Sequence, residues 1–180
     1  MPWQKRYVTY SMNTFTFCTL GSQHLDAVLE LESAVLAVQE RPELLRRNSR
    51  EMWQACLLPP HHALGVRVGE RLVALAVLYV PEPAGEEDLS ACLQGMDCAG
   101  LRSANYKICL VHPDYRGHHL QQQLGERLET LARQQGIGLL CSTVSPLNIA
   151  SLRSLEHLGY HTNCSLTKYG FPRLLLVKKI

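Results

Sequence analysis

The run from Ile108 to Gln121 reads Ile-Cys-Leu-Val-His-Pro-Asp-Tyr-Arg-Gly-His-His-Leu-Gln. Its apolar first part reads as a strand, Pro113 ends that strand, and a helix opens at Gly117. The first turn of any helix carries backbone N–H groups with no partner inside the helix. Those donors and the positive end of the helix dipole attract an anion. A diphosphate suits such a turn because several amides each take one oxygen. Arg116 adds a charge-assisted contact, and Gly117 lets the backbone approach the ligand closely. Taken alone, the same residues also suit a plain strand-to-helix crossover with a glycine for tight packing.

These residues need a layered frame to hold them. Thr14 to Leu20 alternates weakly, as a first strand does. Leu25, Val28, Leu29, Leu31, Val35 and Val38 recur at helical spacing, so residues 23–39 are expected to form an amphipathic helix with Ser22 as N-cap. Pro42 opens a second helical stretch that reaches Leu58 before Pro59–Pro60 ends it. Leu64–Val68 and Leu72–Val80 flank Gly69–Glu70 as a hairpin. The second of these strands is apolar on both faces and must be covered on both. Residues 81–100 hold Pro, Gly and the acidic group Glu86, Glu87 and Asp88, and read as a loop facing the substrate. Glu86–Asp88 would there attract a cationic amine, or simply face solvent. Tyr106–Val111, a helix over Gly117–Gln135, Gly138–Val144, a helix over Pro146–Leu158, and strands over Tyr160–Thr167 and Leu174–Val177 complete the reading. Gly170–Phe171–Pro172 is the expected last turn. The order is β-α-α-β-β-β-α-β-α-β-β.

Composition sets limits. The 180 residues suit one domain over 1–180 with one hydrophobic core. A formal charge of +2, with Lys and Arg scattered, gives no nucleic-acid or membrane footprint. Seven cysteines, an odd count with no two-residue spacing, read as free buried thiols in a reducing compartment, not as a metal knuckle or disulfide frame. His61–His62 lacks further ligands at metal spacing, so no metal site is expected. Residues 1–10 lack the apolar core of a signal peptide, and Leu72–Val80 is too short to span a bilayer. The expected location is cytoplasmic.

The string Val111-His112-Pro113-Asp114-Tyr115-Arg116-Gly117 resembles the cofactor segment of the GNAT N-acetyltransferase superfamily. There a Val-x-Pro-x-Tyr-Arg-Gly string leads into a glycine-rich loop that cradles the diphosphate of coenzyme A. A second segment, Asn148-Ile149-Ala150-Ser151 through Leu158-Gly159-Tyr160, is similar to the family's Asn-x-x-Ala/Ser … Leu-Gly-Phe/Tyr pattern. The two motifs cover residues 106–160.

The resemblance implies an α/β (α+β) domain with a mixed, mostly antiparallel central sheet and helices on both faces. It implies an N-acetyltransferase that carries acetyl from acetyl-CoA to a primary amine, in a small molecule or peptide, by direct attack. It places CoA contacts on the backbone of Leu110 and Val111, and on Arg116, Gly117, His118, His119, Leu120, Gln121, Asn148 and Ser151. The strand of residues 106–111 should splay from that of 138–144 so that the pantetheine arm pairs with exposed backbone. Homodimers are common in the family. Two rival readings stay open: a non-catalytic or regulatory CoA-binding module, and a transferase of a different acyl group.

The chain departs from the family pattern in places. His119 and Gln121 occupy the two glycine positions of the loop. The His119 ring would crowd the diphosphate, pair with it when protonated, or point to solvent. Leu155 stands where a family tyrosine protonates the leaving thiolate. Tyr169 and Tyr160 are the substitutes on offer for that acid. Glu32 on the first helix is a candidate base, with a solvated helix face as the plain alternative.

Overall fold

The structure, a computed structural model, describes residues 14–180; the polar opening segment lies outside the described residues, save Thr14. The elements follow the expected order: β1 (Phe15–Leu20), α1 (Leu25–Ala37), α2 (Arg50–Cys56), β2 (His62–Val68), β3 (Arg71–Tyr79), β4 (Ser103–Val111), α3 (Leu120–Gln134), β5 (Leu139–Val144), α4 (Ile149–His157), β6 (His161–Lys168) and β7 (Phe171–Lys179). The seven strands form one sheet in the order β1-β2-β3-β4-β5-β7-β6. Every neighbouring pair is antiparallel except β4 with β5, which is parallel.

Side-chain alternation sorts the sheet into two faces. One face packs against α3 and α4: Leu120, Leu124 and Leu128, four apart on α3, meet Tyr106, Leu140 and Leu176 from the strands. The other face has two covers. α1 and α2 lie over the β2–β4 half, where Val28, Leu31 and Trp53 meet Leu75 and Leu110. Residues 81–102 lie over the β5–β7 half, with Leu89 buried against Leu139, Cys141, Leu175 and Val177. The segment expected as a substrate-facing loop serves two ends: Leu89 anchors it on a third core cluster, while Glu87 and Leu89 line the cleft described below. Leu89, with Leu93 and Met96 partly buried beside it, supplies the apolar area that holds the segment down.

Ser22 does not cap α1; it opens a 3-10 turn, and His24 stands at the helix's N-cap. Of the other boundaries that differ from expectation, three have clear local reasons. The second helix spans only Arg50–Cys56. Ser49 caps it, accepting from Met52 N at 3.1 Å. Upstream, the backbone N–H and side-chain amide of Asn48 both donate to Glu32 Oε1, each at 2.9 Å, so a buried acceptor outcompetes helix continuation. The last helix starts at Ile149, not Pro146, because Asn148 caps it. The last turn is Tyr169–Gly170, with φ +58 and +79. Two positive φ values suit a two-residue hairpin, so the strands continue to Lys168 and from Phe171. Pro172 is tolerated because the β5 pairing begins only at Leu174.

Candidate active site

A fork in the sheet makes the site. β4 and β5 pair only over Ser103–Asn105 with Leu139–Cys141, and then diverge. From Tyr106 to Val111 the edge of β4 that faces β5 has no strand partner. Ser142 on β5 spans the start of the gap, its hydroxyl donating to Tyr106 O at 2.9 Å. On its other edge β4 bulges. The register with β3 passes from Ile108 to Tyr106 and leaves Lys107 unpaired. The strand thus bends away from β5 with an open backbone edge.

The loop from Arg116 runs into α3 beside this fork. Among the described residues no acceptor is present for the backbone N–H groups of Gly117 to Gln122. Gly117 has φ +83, and a Cβ there would meet nothing within 4 Å, so the space beside this residue is open. His119 takes the left-handed conformation, φ +56 and ψ 26, that a glycine would adopt without strain. Its side chain is exposed at the edge of the cleft.

The fork and this loop bound a cleft of about 490 Å³. Leu110, Val111, Arg116, Gly117 and His119 line it, as do Leu120, Gln121, Asn148 and Ser151. Of the ten residues assigned above to the cofactor, His118 alone does not. Its ring sits 5.1 Å from that of Phe15, and its carbonyl accepts from Gln123 Nε2. Asn148 caps α4 through its side-chain oxygen, which accepts from Ser151 N at 3.2 Å. Its amide NH2 has no acceptor among the described residues and can serve a ligand. Gln121 Nε2 donates to Ser151 Oγ at 3.3 Å and joins the two helix starts across the cleft.

The three residues named for proton transfer part ways. Tyr169, 36% exposed, lines the cleft at the tip of the β6–β7 turn. Burial, and then the nearby Glu87 carboxylate, push its phenol above the ordinary value, so it keeps its proton. Tyr160 does not reach the cleft. It is buried in the core beside Tyr106, and burial raises its phenol far above the ordinary range. Glu32 does not reach it either. It is fully buried and holds Asn48, fixing the 39–48 segment, part of which does line the cleft. Helical periodicity placed Glu32 on a helix; it could not tell a carboxylate facing the ligand from one clasping a loop.

Several cleft residues were not expected. Lys107 at the bulge donates to Glu87 Oε2 and lies 4.4 Å from the centre of the Tyr79 ring. Lys168 donates to the same oxygen at 3.3 Å. Burial would push the Glu87 carboxyl up, but these two ammonium groups outweigh it and hold the carboxyl below its ordinary value. Glu87 is therefore already neutralised and does not act as a free lure for cations. Arg46 lies over the Tyr169 ring at 4.1 Å, and Arg173 is buried with 6% exposure. Arg173 was legible in principle, since it shares strand parity with the inward-facing Leu175 and Val177.

Because the folded state lowers the Glu87 pKa below 4.5, its stabilising effect is complete above that value and is lost as the pH falls through the lower folded value. The stability gap between wild type and Glu87→Gln should thus narrow between about pH 5 and pH 3. Urea midpoints measured across that range check this. A gap that widens toward acid would contradict the pairing.

Among the described residues no group of three or more metal-ligating side chains is present, and no helix is long and apolar enough to cross a membrane.

The fold has many solved counterparts. An N-acetyltransferase from Staphylococcus aureus Mu50 superposes with a TM-score of 0.70 at 15% identity, covering 92% of this chain and 97% of that one. The ribosomal-protein-S18-alanine N-acetyltransferase of Escherichia coli gives 0.69 at 16% identity, covering 93% and 94%. Arabidopsis thaliana NAA60 in complex with acetyl-CoA gives 0.71 at 14% identity, covering 93% and 99%. No curated protein sequence matches the chain. The sequence model of the acetyltransferase (GNAT) family matches residues 25–160, which span the fork, the open amides of the α3 loop and the Asn148 cap. The chain belongs to the GNAT acetyltransferase family.

Proposed function

We propose that residues 1–180 work as one N-acetyltransferase domain that moves acetyl from acetyl-CoA to a primary amine by direct attack. The observation that carries this reading is the open edge of β4 beside a helix start whose amides lack acceptors. Acetyl-CoA bound there supplies a thioester carbonyl open to an amine. The residues present fit it. The N–H groups of Gly117–Gln122 and the Arg116 guanidinium would take the diphosphate. The exposed backbone of Leu110 and Val111 would pair with the pantetheine arm as an added strand, and the Asn148 amide would steady it.

The chain's own groups then have limited tasks. Backbone N–H groups on the open β4 edge can stabilise negative charge developing on the carbonyl oxygen. Tyr169, protonated and lining the cleft, can donate a proton to the departing sulfur, while the attacking nitrogen gives up its proton to water in the open cleft and Tyr169 regains one from the same water. A thiol's ordinary pKa of about 8.5 makes that help modest. Leu155, buried against the cleft, closes the position where a tyrosine would act and excludes water instead.

The test is thiol release from acetyl-CoA in the presence of a panel of amines. Amine-dependent release is expected, faster than with propionyl- or succinyl-CoA. Tight CoA binding with no release for any amine would turn the reading to a non-catalytic CoA-binding module, which the leucine at position 155, in place of the family tyrosine, favours.

His119→Gly should stabilise the fold by about 0.5–1 kcal/mol, because removing left-handed strain of about 1–2 kcal/mol outweighs the added chain entropy of glycine. It should also tighten CoA binding, since the imidazole then leaves the cleft wall beside the open amides. Urea unfolding and calorimetry read the two effects. Weaker CoA binding would show that the ring itself grips phosphate.

A further inference from the structure

We propose that the acceptor is a small amine carrying a carboxylate, received by Arg173 and Arg46 on the face of the sheet opposite the α3 loop. The proposal rests on the transferase reading above and names the acceptor that reading leaves open.

Arg173 is the main argument. It is buried, it lines the cleft, and among the described residues it has no hydrogen-bond acceptor and no ion-pair partner. Its Nε is enclosed and unsatisfied, so its terminal NH2 groups are the part that can meet an anion from the cleft. A buried guanidinium without an anion is costly, and folded proteins keep such charges paired. The cleft wall offers it no partner. Glu87 lines the cleft, but Lys107 and Lys168 already hold it. Tyr169 retains its proton. The missing partner is therefore a ligand.

Charge points the same way. On this side of the cleft Arg46, Lys107, Lys168 and Arg173 face the single carboxylate of Glu87, a surplus of three positive charges. A polyamine or a lysine-rich peptide would be repelled there. Arg46 is held over the Tyr169 ring and has no carboxylate partner among the described residues, so its fork is preordered and free. Two guanidiniums suit a planar carboxylate, which each can grip through two parallel N–H groups. The CoA diphosphate does not explain them. Arg173 shares a face with Leu175 and Val177 under the 81–102 layer, whereas the α3 loop belongs to the other face.

The test uses a series of amino carboxylates, each paired with its carboxamide and its phosphonate. Thiol release from acetyl-CoA and calorimetric binding to the CoA-saturated protein are both measured. The carboxylates should exceed their amides about tenfold or more in kcat/KM and in affinity. Arg173→Gln should erase that preference while leaving the KM for acetyl-CoA and the Kd for CoA unchanged. Arg46→Gln, at an exposed side chain, should reduce the preference severalfold and guards against a folding defect in the first variant. Carboxylate binding lost in Arg173→Gln supports the proposal even where no thiol is released, and that result would sink the transferase reading alone. Amides or phosphonates that bind or react as well as carboxylates would overturn the proposal. So would a KM for acetyl-CoA that rises in step with that of the acceptor, or a CoA-loaded protein that binds no carboxylate of the series.

Discussion

Arg116→Ala should raise the Kd for CoA about tenfold to a hundredfold, the loss of one charge-assisted contact of about 1.5–3 kcal/mol. Arg116 is exposed, lines the cleft just before the open amides, and its guanidinium has no hydrogen-bond partner among the described residues; only its backbone N–H is paired, with Pro113 O. Its removal leaves no buried group unpaired, so the unfolding midpoint should not move. The assignment to diphosphate has a sharper check. S-acetylpantetheine lacks the diphosphate, and wild type and Arg116→Ala should bind it alike. The difference for CoA should also shrink as salt rises, because the site is open to solvent. An unchanged Kd for CoA at low salt would remove Arg116 from the site.

Trp53→Ala should cost about 3–5 kcal/mol of a total stability of about 5–15 kcal/mol. Trp53 is fully buried among Leu25, Val28, Leu31 and Leu75, and it fixes α2, whose seven residues are too few to hold a helix alone. The urea midpoint should fall accordingly, and Trp53→Phe should recover most of the loss. CoA affinity of the folded fraction should stay near wild type, because the α3 loop packs on the opposite face. Acceptor affinity should fall, because residues 39–48 rest on the same layer as Trp53 and part of that segment lines the cleft. A parallel loss of CoA affinity would mean that the two faces are not independent.

The two motifs and the element order were legible in the sequence because they depend on short-range rules. A proline and a glycine bracket the α3 loop, leucines four apart mark α3, and Asn148 announces a cap. Nine of the ten residues expected at the cofactor line one cleft for that reason. His118 fell outside because adjacent residues in a loop point in different directions, and spacing does not say which. Glu32 and Tyr160 were misplaced because type and periodicity do not report what a side chain touches. One clasps Asn48 and the other fills the core.

The sequence by itself determined a helix start with open amides, the order of strands and helices, and membership of the GNAT acetyltransferase family. Tertiary structure alone decided how β4 parts from β5, that Leu89 anchors residues 81–102 on a third core cluster, and that Glu87 is neutralised by two lysines. It alone brought Arg46 and Arg173 to one wall. Local spacing fixes which backbone groups a turn leaves open. Which charges meet, and which stays unpaired, depends on residues far apart in the chain, 81 positions for Glu87 and Lys168, and only packing brings them together.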